Sequence, residues 1–436
     1  MNILKAKIIA ASLMLAASVA GGHCAAPSKA TLRVGAARAD ITPPAAMLPF
    51  HPMHEEHPYT AIHDSLYARA VVMDDGQRRA VIVEIDEVQV PDARAMISEV
   101  AHKASTQPSA VLICVSHTHS TLHPDGRDRR LQSVINRIHD GVLTAVGRAV
   151  ENLRPASVAF TRTKANVNIN NGEADGSRGQ YSPDAYSDKT LDIVRFADEG
   201  GRAIALVVNY ASHAEVMFRS VSRDGGFEIS GDLPGRTAAL LEHAPADGSV
   251  AEAAPVVLTT AGAEADQQPI FTSRQRTSTM GIADQGAGGW AIVDALAHRL
   301  ADAVNEAVEQ MPQGETGASI AARSGEAIVP GQHRHGDRET GKITDEPAAD
   351  VHIPVVRLQV GGVTFAGVGA DLGASIGTAL RANARNRQTM LITCIAGNVG
   401  YVLPDSMYAR YTHGVMGSPV RPGFAQSALL EELNKQ

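Results

Sequence analysis

Apolar runs of strand length recur along this chain and outnumber its helical segments, and this constrains the fold more than any other feature. Leu32–Asp40 reads as an opening strand that stops at the turn Ile41-Thr42-Pro43-Pro44. Leu66–Met73 and Ala80–Ile85 flank Asp74-Asp75-Gly76, a hairpin signal. Further strands are expected at Val111–Val115, Val158–Thr161, Leu191–Phe196, Ile204–Tyr210, Val256–Thr260, Ala318–Ile328, Val355–Val360, Val363–Val368 and Met390–Ile395. Helices are expected at Asp92–Ser105, Ser133–Asn152, Asp232–His243, Ala291–Met311 and Leu372–Arg385. In the second of these, Val134, Ile138, Val142, Ala145 and Ala149 fall on one face. Hairpins combined with strand–helix alternation predict a layered α/β architecture, mixed β-sheets covered by helices. Two polar stretches, Gly172–Asp188 and Gly331–Asp350, are expected to be exposed loops, because no core would absorb them. No linker composition divides the chain, so residues 31–436 are expected to form a single large domain.

Charge and composition narrow the partners. The 436 residues carry a formal net charge of -8 with no basic cluster, which argues against nucleic acid. Aromatic residues make up 4%, too few for an aromatic-lined sugar or nucleic-acid groove. Cys114 and Cys394 fall within expected buried strands and read as free thiols, so disulfides are not what holds this fold. Nothing in the sequence marks an obligate protein partner.

The first residues read as an export signal. Lys5 and Lys7 precede the apolar stretch Ile8–Ala20, which is shorter than the roughly 20 residues a membrane-spanning helix needs. Ser18-Val19-Ala20 suits cleavage after residue 20, and Cys24-Ala25-Ala26 offers a second place at 26. Cys24 is not read as a lipidation site, since His23 stands where a small residue is expected. The expected location is the periplasm or the outside of the cell.

The chemistry-bearing residues share one placement, just beyond the ends of strands. Ser116-His117-Thr118-His119-Ser120 follows Val111–Val115, and His213 follows Ile204–Tyr210. Gly262–Pro269 follows Val256–Thr260, Asp371 follows Val363–Val368, and Tyr401 follows Met390–Ile395. In open α/β sheets, ligands bind outside the carboxyl ends of strands. In an extended segment His117 and His119 would point to one side, where both could hold a metal, or one could hold metal and the other substrate; a satisfied surface pair is the plainer reading. A metallo-β-lactamase-like H-x-H-x-D-H pattern does not fit, because Ser120-Thr121-Leu122-His123 follows.

Several blocks in order resemble the neutral/alkaline non-lysosomal ceramidase family. They are VGAARADITPP at 34–44, IHDSLYARAVVMDDG at 62–76, VSHTHS at 115–120, VVNYASH at 207–213, SGDLPGRTAALLE at 230–242, GVGADLG at 367–373 and AGNVGYVLPD at 396–405. The resemblance implies a zinc site of two histidines, a carboxylate and a tyrosine. By motif these are His117, His213, Asp371 (in place of the family's glutamate) and Tyr401. Two imidazoles and a carboxylate suit zinc and leave room for a water. It also implies that the chain corresponds to the family's catalytic domain, without the C-terminal immunoglobulin-like domain of full-length ceramidases.

Two positions depart from the family. Gln268 stands where the ceramidases carry a serine after the aspartate matched by Asp266, and Asn171 stands where an arginine is expected. These three residues are the expected substrate contacts. The implied reaction is zinc-assisted hydrolysis of an acyl bond, most directly an N-acyl amide, in a small-molecule or lipid-like substrate. Asp371 is expected to take the proton of the attacking water. His119 is expected to serve the oxyanion or leaving group, and Tyr401 could do either. Hydrolysis of esters or lactones on the same centre is the alternative, as is a zinc- or ligand-binding relative without catalysis. A lipid-like substrate is compatible with peripheral membrane contact. His51, His54, His57 and His63 are read as solvated, with an entrance lining or a second metal as the other readings.

Overall fold

A computed structural model of the chain describes residues 31–435 apart from 54, 125, 172–184, 223, 243–253, 278–280 and 338. The export signal and most of the stretch 172–188 therefore lie outside the described residues. Eight strands form the larger sheet: β1 (Arg33–Asp40), β2 (Tyr67–Asp74), β3 (Arg79–Ile85), β4 (Val111–Val115), β5 (Arg154–Lys164), β6 (Thr190–Asp198), β7 (Ala203–Tyr210) and β8 (Val256–Ala261). Their order is β8-β7-β6-β5-β1-β2-β3-β4. The second sheet has the order β9 (Ile320–Gly336), β10 (Ile343–Val360), β11 (Val363–Val368), β12 (Thr389–Ile392). Both sheets are antiparallel in their interiors and end on parallel pairs: β3 with β4, β7 with β8, and β11 with β12.

Side-chain alternation explains why two sheets stack. Val34, Val71, Ile82 and Leu112 point from the larger sheet into a shared core with Leu358, Phe365 and Met390 of the smaller one. Their sequence neighbours Ala70, Val72, Val81, Val83, Ile113 and Val115 point the other way. They are covered by the helices α1 (Ala93–Lys103) and α2 (Gln132–Glu151). The β5–β8 half is covered by α3 (Asp232–Glu242) and α4 (Trp290–Glu309). The outer face of the smaller sheet is covered by α5 (Ala374–Ala382) and α6 (Ala425–Asn434). The result is a four-layer helix–sheet–sheet–helix sandwich, the layered α/β architecture expected from the strand and helix pattern. Gly35 is needed where α2 crosses β1, since a Cβ there would collide with the Ala149 carbonyl.

One expectation is overturned. The polar stretch Gly331–Asp350 is not a loop: β9 and β10 pair continuously from Ile320↔Val360 out to Gly336↔Ile343, with one register shift near Val329. A two-stranded ribbon in solvent satisfies its backbone groups across the ladder and needs no apolar alternation. The ribbon is also pinned to the chain near residue 415, where Arg334 donates to the Val415 carbonyl at 2.7 Å and Gln332 N to the Pro419 carbonyl at 2.8 Å. Several boundaries move as well, among them that of the strand expected at Val158–Thr161, which runs Arg154–Lys164. The fifth expected helix starts at Ala374 rather than Leu372, and the strand at 390 ends at Ile392. Among the described residues, no helix is long and apolar enough to cross a membrane.

Candidate metal centre

The chain segments beyond β4, β7, β8, β11 and β12 meet in one place, stitched together by backbone hydrogen bonds. His119 N donates to the Ala214 carbonyl at 3.1 Å, and His213 N to the Gln267 carbonyl at 3.1 Å. Ala265 N donates to the Leu372 carbonyl at 3.0 Å, Cys394 N to the Ala370 carbonyl at 3.2 Å, and Asp371 N to the Gly400 carbonyl at 3.0 Å. Asp371–Leu372 also runs parallel to Tyr401–Val402, with Asp371 opposite Tyr401. Residues far apart in sequence are thereby fixed relative to one another before any side chain is considered.

The side chains that converge are His117, His119, His213 and Asp371, with Tyr401 at the edge. The three imidazoles each offer a nitrogen within 4.8 Å of the others. Ring centroids lie 4.9 Å apart for His117 and His119, 5.1 Å for His117 and His213, and 5.6 Å for His119 and His213. His117 and His119 do share a space, but not as alternate residues of an extended strand. His117 has φ 60°, a left-handed conformation uncommon outside glycine and often found at functional sites. The Tyr401 ring stacks at 6.5 Å on His213 and meets His413 edge-on at 5.6 Å.

The hydrogen-bond pattern leaves specific atoms for a cation. His213 Nδ1 faces the Glu264 carbonyl at 2.8 Å and the Gln267 carbonyl at 3.1 Å. His117 Nδ1 faces Glu264 Oε1 at 2.7 Å. Each ring is thus oriented through Nδ1 and presents Nε2 to the shared space, the arrangement of metal-bound histidines. His213 Nε2 stands 3.3 Å from Asp371 Oδ2, yet neither it nor either Asp371 oxygen has a hydrogen bond among the described residues. Buried polar atoms are rarely left so, and a carboxylate least of all. Burial pulls the His213 pKa down, but Asp371, with Glu215 and Glu264 beyond it, carries it up to about 10. With no metal present, a proton takes the place of a cation there. The donor set, the orphaned carboxylate and the acceptors that orient the two rings fit zinc.

The remaining expected residues divide. Asn168–Asn170 pairs with Gln267–Pro269 beside His213, and this ribbon carries Asn171 and Gln268. Both are buried, with Asn171 Oδ1 and Gln268 Nε2 lacking hydrogen bonds among the described residues. One buried acceptor and one buried donor are therefore left without a hydrogen-bond partner among the described residues. Asp266 differs: its Oδ1 accepts from Ala374 N at 2.8 Å at the start of α5, and its Oδ2 from Asn170 Nδ2 at 3.1 Å. Its oxygens are committed to the scaffold. Asp371 is not a cap for α5, a place the Asp266 carboxylate fills. His63 stacks on Trp290 at 3.5 Å, and His57 Nδ1 faces the Gly225 carbonyl at 3.2 Å. His54 lies outside the described residues, and no metal-holding group among the described residues includes His51, His57 or His63.

Two acids were missed in the sequence. Glu264 backs His117, and Glu215 Oε1 lies 3.5 Å from His119 Nδ1. The available signals were position alone: Glu264 sits inside the marked segment 262–269, and Glu215 lies two residues beyond His213. Cys394 is also close, its Sγ 3.5 Å from His117 Nδ1, with burial pushing its thiol pKa well up.

Comparison with known proteins gives a consistent picture. Residues 32–269 match the family model for the N-terminal part of neutral/alkaline non-lysosomal ceramidases. Neutral ceramidase of Drosophila pseudoobscura pseudoobscura is 28% identical over 224 residues, covering 47% of this chain and 31% of that protein. The match thus spans under a third of that relative's length. The solved structure of a ceramidase complexed with C2 superposes with TM-score 0.71 at 16% identity, over 92% of this chain and 74% of that one. Neutral ceramidase from Pseudomonas aeruginosa gives 0.68 at 17% identity, over 92% and 73%. At these identities the structural likeness speaks to the fold.

Proposed function

The chain belongs to the neutral/alkaline non-lysosomal ceramidase family, and from that premise we propose that it is a zinc-dependent hydrolase of an acyl bond, most directly an N-acyl amide. The observation that carries this reading is the buried Asp371 carboxylate, without a hydrogen bond among the described residues, set against His213 Nε2 at 3.3 Å. His117, His213, Asp371 and Tyr401 would hold the ion, with the His119 ring beside them. When bound, zinc supplies polarisation of an acyl carbonyl and a water acidified toward a pKa of about 7.

The chain's own residues supply the rest. Asp371 has two oxygens, so one can face the centre while the other takes a proton from the attacking water. His119 delivers a proton to the leaving group and is braced through Nδ1 by Glu215. The Phe218 ring meets the buried His119 edge-on at 5.2 Å. Gln268 Nε2 is a buried donor suited to a substrate oxygen, and Asn171 Oδ1 a buried acceptor suited to an amide N–H.

A neighbouring pocket supports an acyl substrate. It measures about 210 Å³, and its lining combines the apolar Phe50, Met53, Tyr59, Leu122 and Leu131 with the charged Glu55, Arg127 and Asp128 and with His123. His123 links it to the centre: its Nε2 faces the His119 carbonyl at 3.1 Å, and its ring lies 5.9 Å from that of His119. A cavity of about 150 Å³ holds a benzene ring, so this pocket takes an apolar arm of about eight carbons. Esters and lactones would meet the same centre and the same pocket. The test is turnover of a panel of N-acyl amides, esters and lactones. Amide cleavage that disappears in His213→Ala supports the reading, and no turnover of any class by zinc-loaded protein overturns it. We further propose export through residues 1–20, on the strength of the charged-then-apolar N-terminus. N-terminal sequencing of the cell-envelope fraction should return a chain starting near Gly21 or Pro27, whereas an intact Met1 in the cytoplasm would contradict it.

A further inference from the structure

We propose that Glu264 is the residue that positions both histidines of the centre, holding each in the tautomer that turns Nε2 toward the metal. The proposal rests on the zinc reading above. Glu264 reaches the two rings in different ways. Its side chain meets His117 Nδ1 at 2.7 Å, and its own carbonyl meets His213 Nδ1 at 2.8 Å. The side chain is 1% exposed. Its backbone is anchored as well, since Gln267 N donates to the Glu264 carbonyl at 2.7 Å and the next residue, Ala265, donates to Leu372 at 3.0 Å. A neutral imidazole carries one N–H. When Nδ1–H is donated to an acceptor, the lone pair stays on Nε2, and ring rotation is fixed along with the tautomer. His117 itself sits on a left-handed backbone, with φ 60°.

A different use of the same atoms is a cation held directly by His117 Nδ1, Glu264 and Cys394, which also lie within 4.8 Å of one another. The 2.7 Å separation is a hydrogen-bond length, and Nδ1 cannot both donate to Glu264 and coordinate a metal. The two uses differ in whether sulfur reaches the ion.

Glu264→Ala removes the acceptor for His117 and leaves the carbonyl for His213 in place, so the variant isolates one ring. Glu264→Gln keeps an acceptor oxygen without the charge. Zinc affinity is measured by chelator competition in wild type and both variants. Glu264→Ala should bind zinc about 10–100-fold more weakly, with Glu264→Gln between it and wild type. Cobalt-substituted wild type should show ligand-field bands without thiolate-to-cobalt charge transfer. In zinc-loaded protein, imidazole ¹⁵N shifts should report a protonated Nδ1 for both His117 and His213, with only His117 changing in Glu264→Ala. Thermal melting of the metal-free variants checks folding, and Glu264→Gln carries the comparison if Glu264→Ala does not fold. Wild-type zinc affinity in the variants, or a thiolate band, overturns the positioning role while leaving zinc in place. Wild type that binds no zinc overturns the functional reading and this inference together.

Discussion

Asp371 Oδ2 lies 3.3 Å from His213 Nε2 in a buried site where neither carboxylate oxygen has a hydrogen bond among the described residues. The imidazole belongs to the segment after β7 and the carboxylate to the segment after β11, so the two sheets must stack before the pair exists. With no metal present, the Asp371 carboxylate favours the protonated form of the buried His213 imidazole, whose pKa rises to about 10.

That proton gives the first prediction. At neutral pH, far below 10, zinc must displace it, so binding should release about one proton per ion. The affinity should rise with pH through the neutral range. Calorimetric titration in buffers of different ionisation enthalpy measures the release. A heat independent of the buffer would contradict the pairing.

Glu87 sets a pH dependence away from the centre. Burial, opposed in part by the Thr121 hydroxyl, lifts its pKa from 4.5 to about 8. An acid with a raised folded pKa stabilises the fold fully below 4.5, and that contribution is lost as pH rises through 8. Glu87→Gln stays neutral throughout. Wild type should therefore lose a few kcal/mol relative to the variant across this window, since each tenfold change in proton affinity is worth roughly 1.4 kcal/mol. Parallel melting temperatures in the two proteins from acid to alkaline pH would refute it.

Asp266 is expected to act on stability rather than on substrate. Asp266→Ala leaves Ala374 N and Asn170 Nδ2 without their acceptor and should cost about 1–3 kcal/mol. Asp266→Asn should recover part of this. KM should change little in either variant. A large rise in KM with an unaltered denaturation midpoint would return Asp266 to the substrate contacts.

Substrate preference should follow Gln268 and the pocket beside His123. Across N-acyl amides, kcat/KM should climb about fourfold per methylene, the value of roughly 0.8 kcal/mol per buried CH₂, and level off near eight carbons. A long-chain ceramide should be poorer than the best medium-chain substrate. Gln268→Ser should shift the ratio toward ceramide, since loss of a well-placed transition-state hydrogen bond costs about 10²–10³ in rate. A steady climb to long chains, or ratios indifferent to Gln268→Ser, would show that neither feature governs specificity.

Much of this was legible because strands of a two-sided core announce themselves. Val111–Val115 and Val363–Val368 are continuous apolar runs, and both appear where the sequence puts them. The placement of polar residues after such strands brought His117, His213 and Asp371 forward for the same reason. The ribbon at 331–350 was not legible, since a ladder in solvent leaves no periodicity of hydrophobicity. Glu264 was hidden because a single glutamate among alanines looks the same whether it faces water or an imidazole 147 residues away. Asp266 caps a helix 108 residues on, a link that no local capping pattern encodes. The left-handed turn at His117 has no signature either, as the strain is imposed by tertiary contacts rather than by a glycine.

The most direct test of the centre is elemental metal analysis of the purified protein alongside His117→Ala and His213→Ala. The donor set predicts about one zinc per chain in the wild type and a marked loss in both variants, together with loss of acyl hydrolysis. Wild-type protein that takes up no zinc, or variants that retain full occupancy and turnover, would contradict the account.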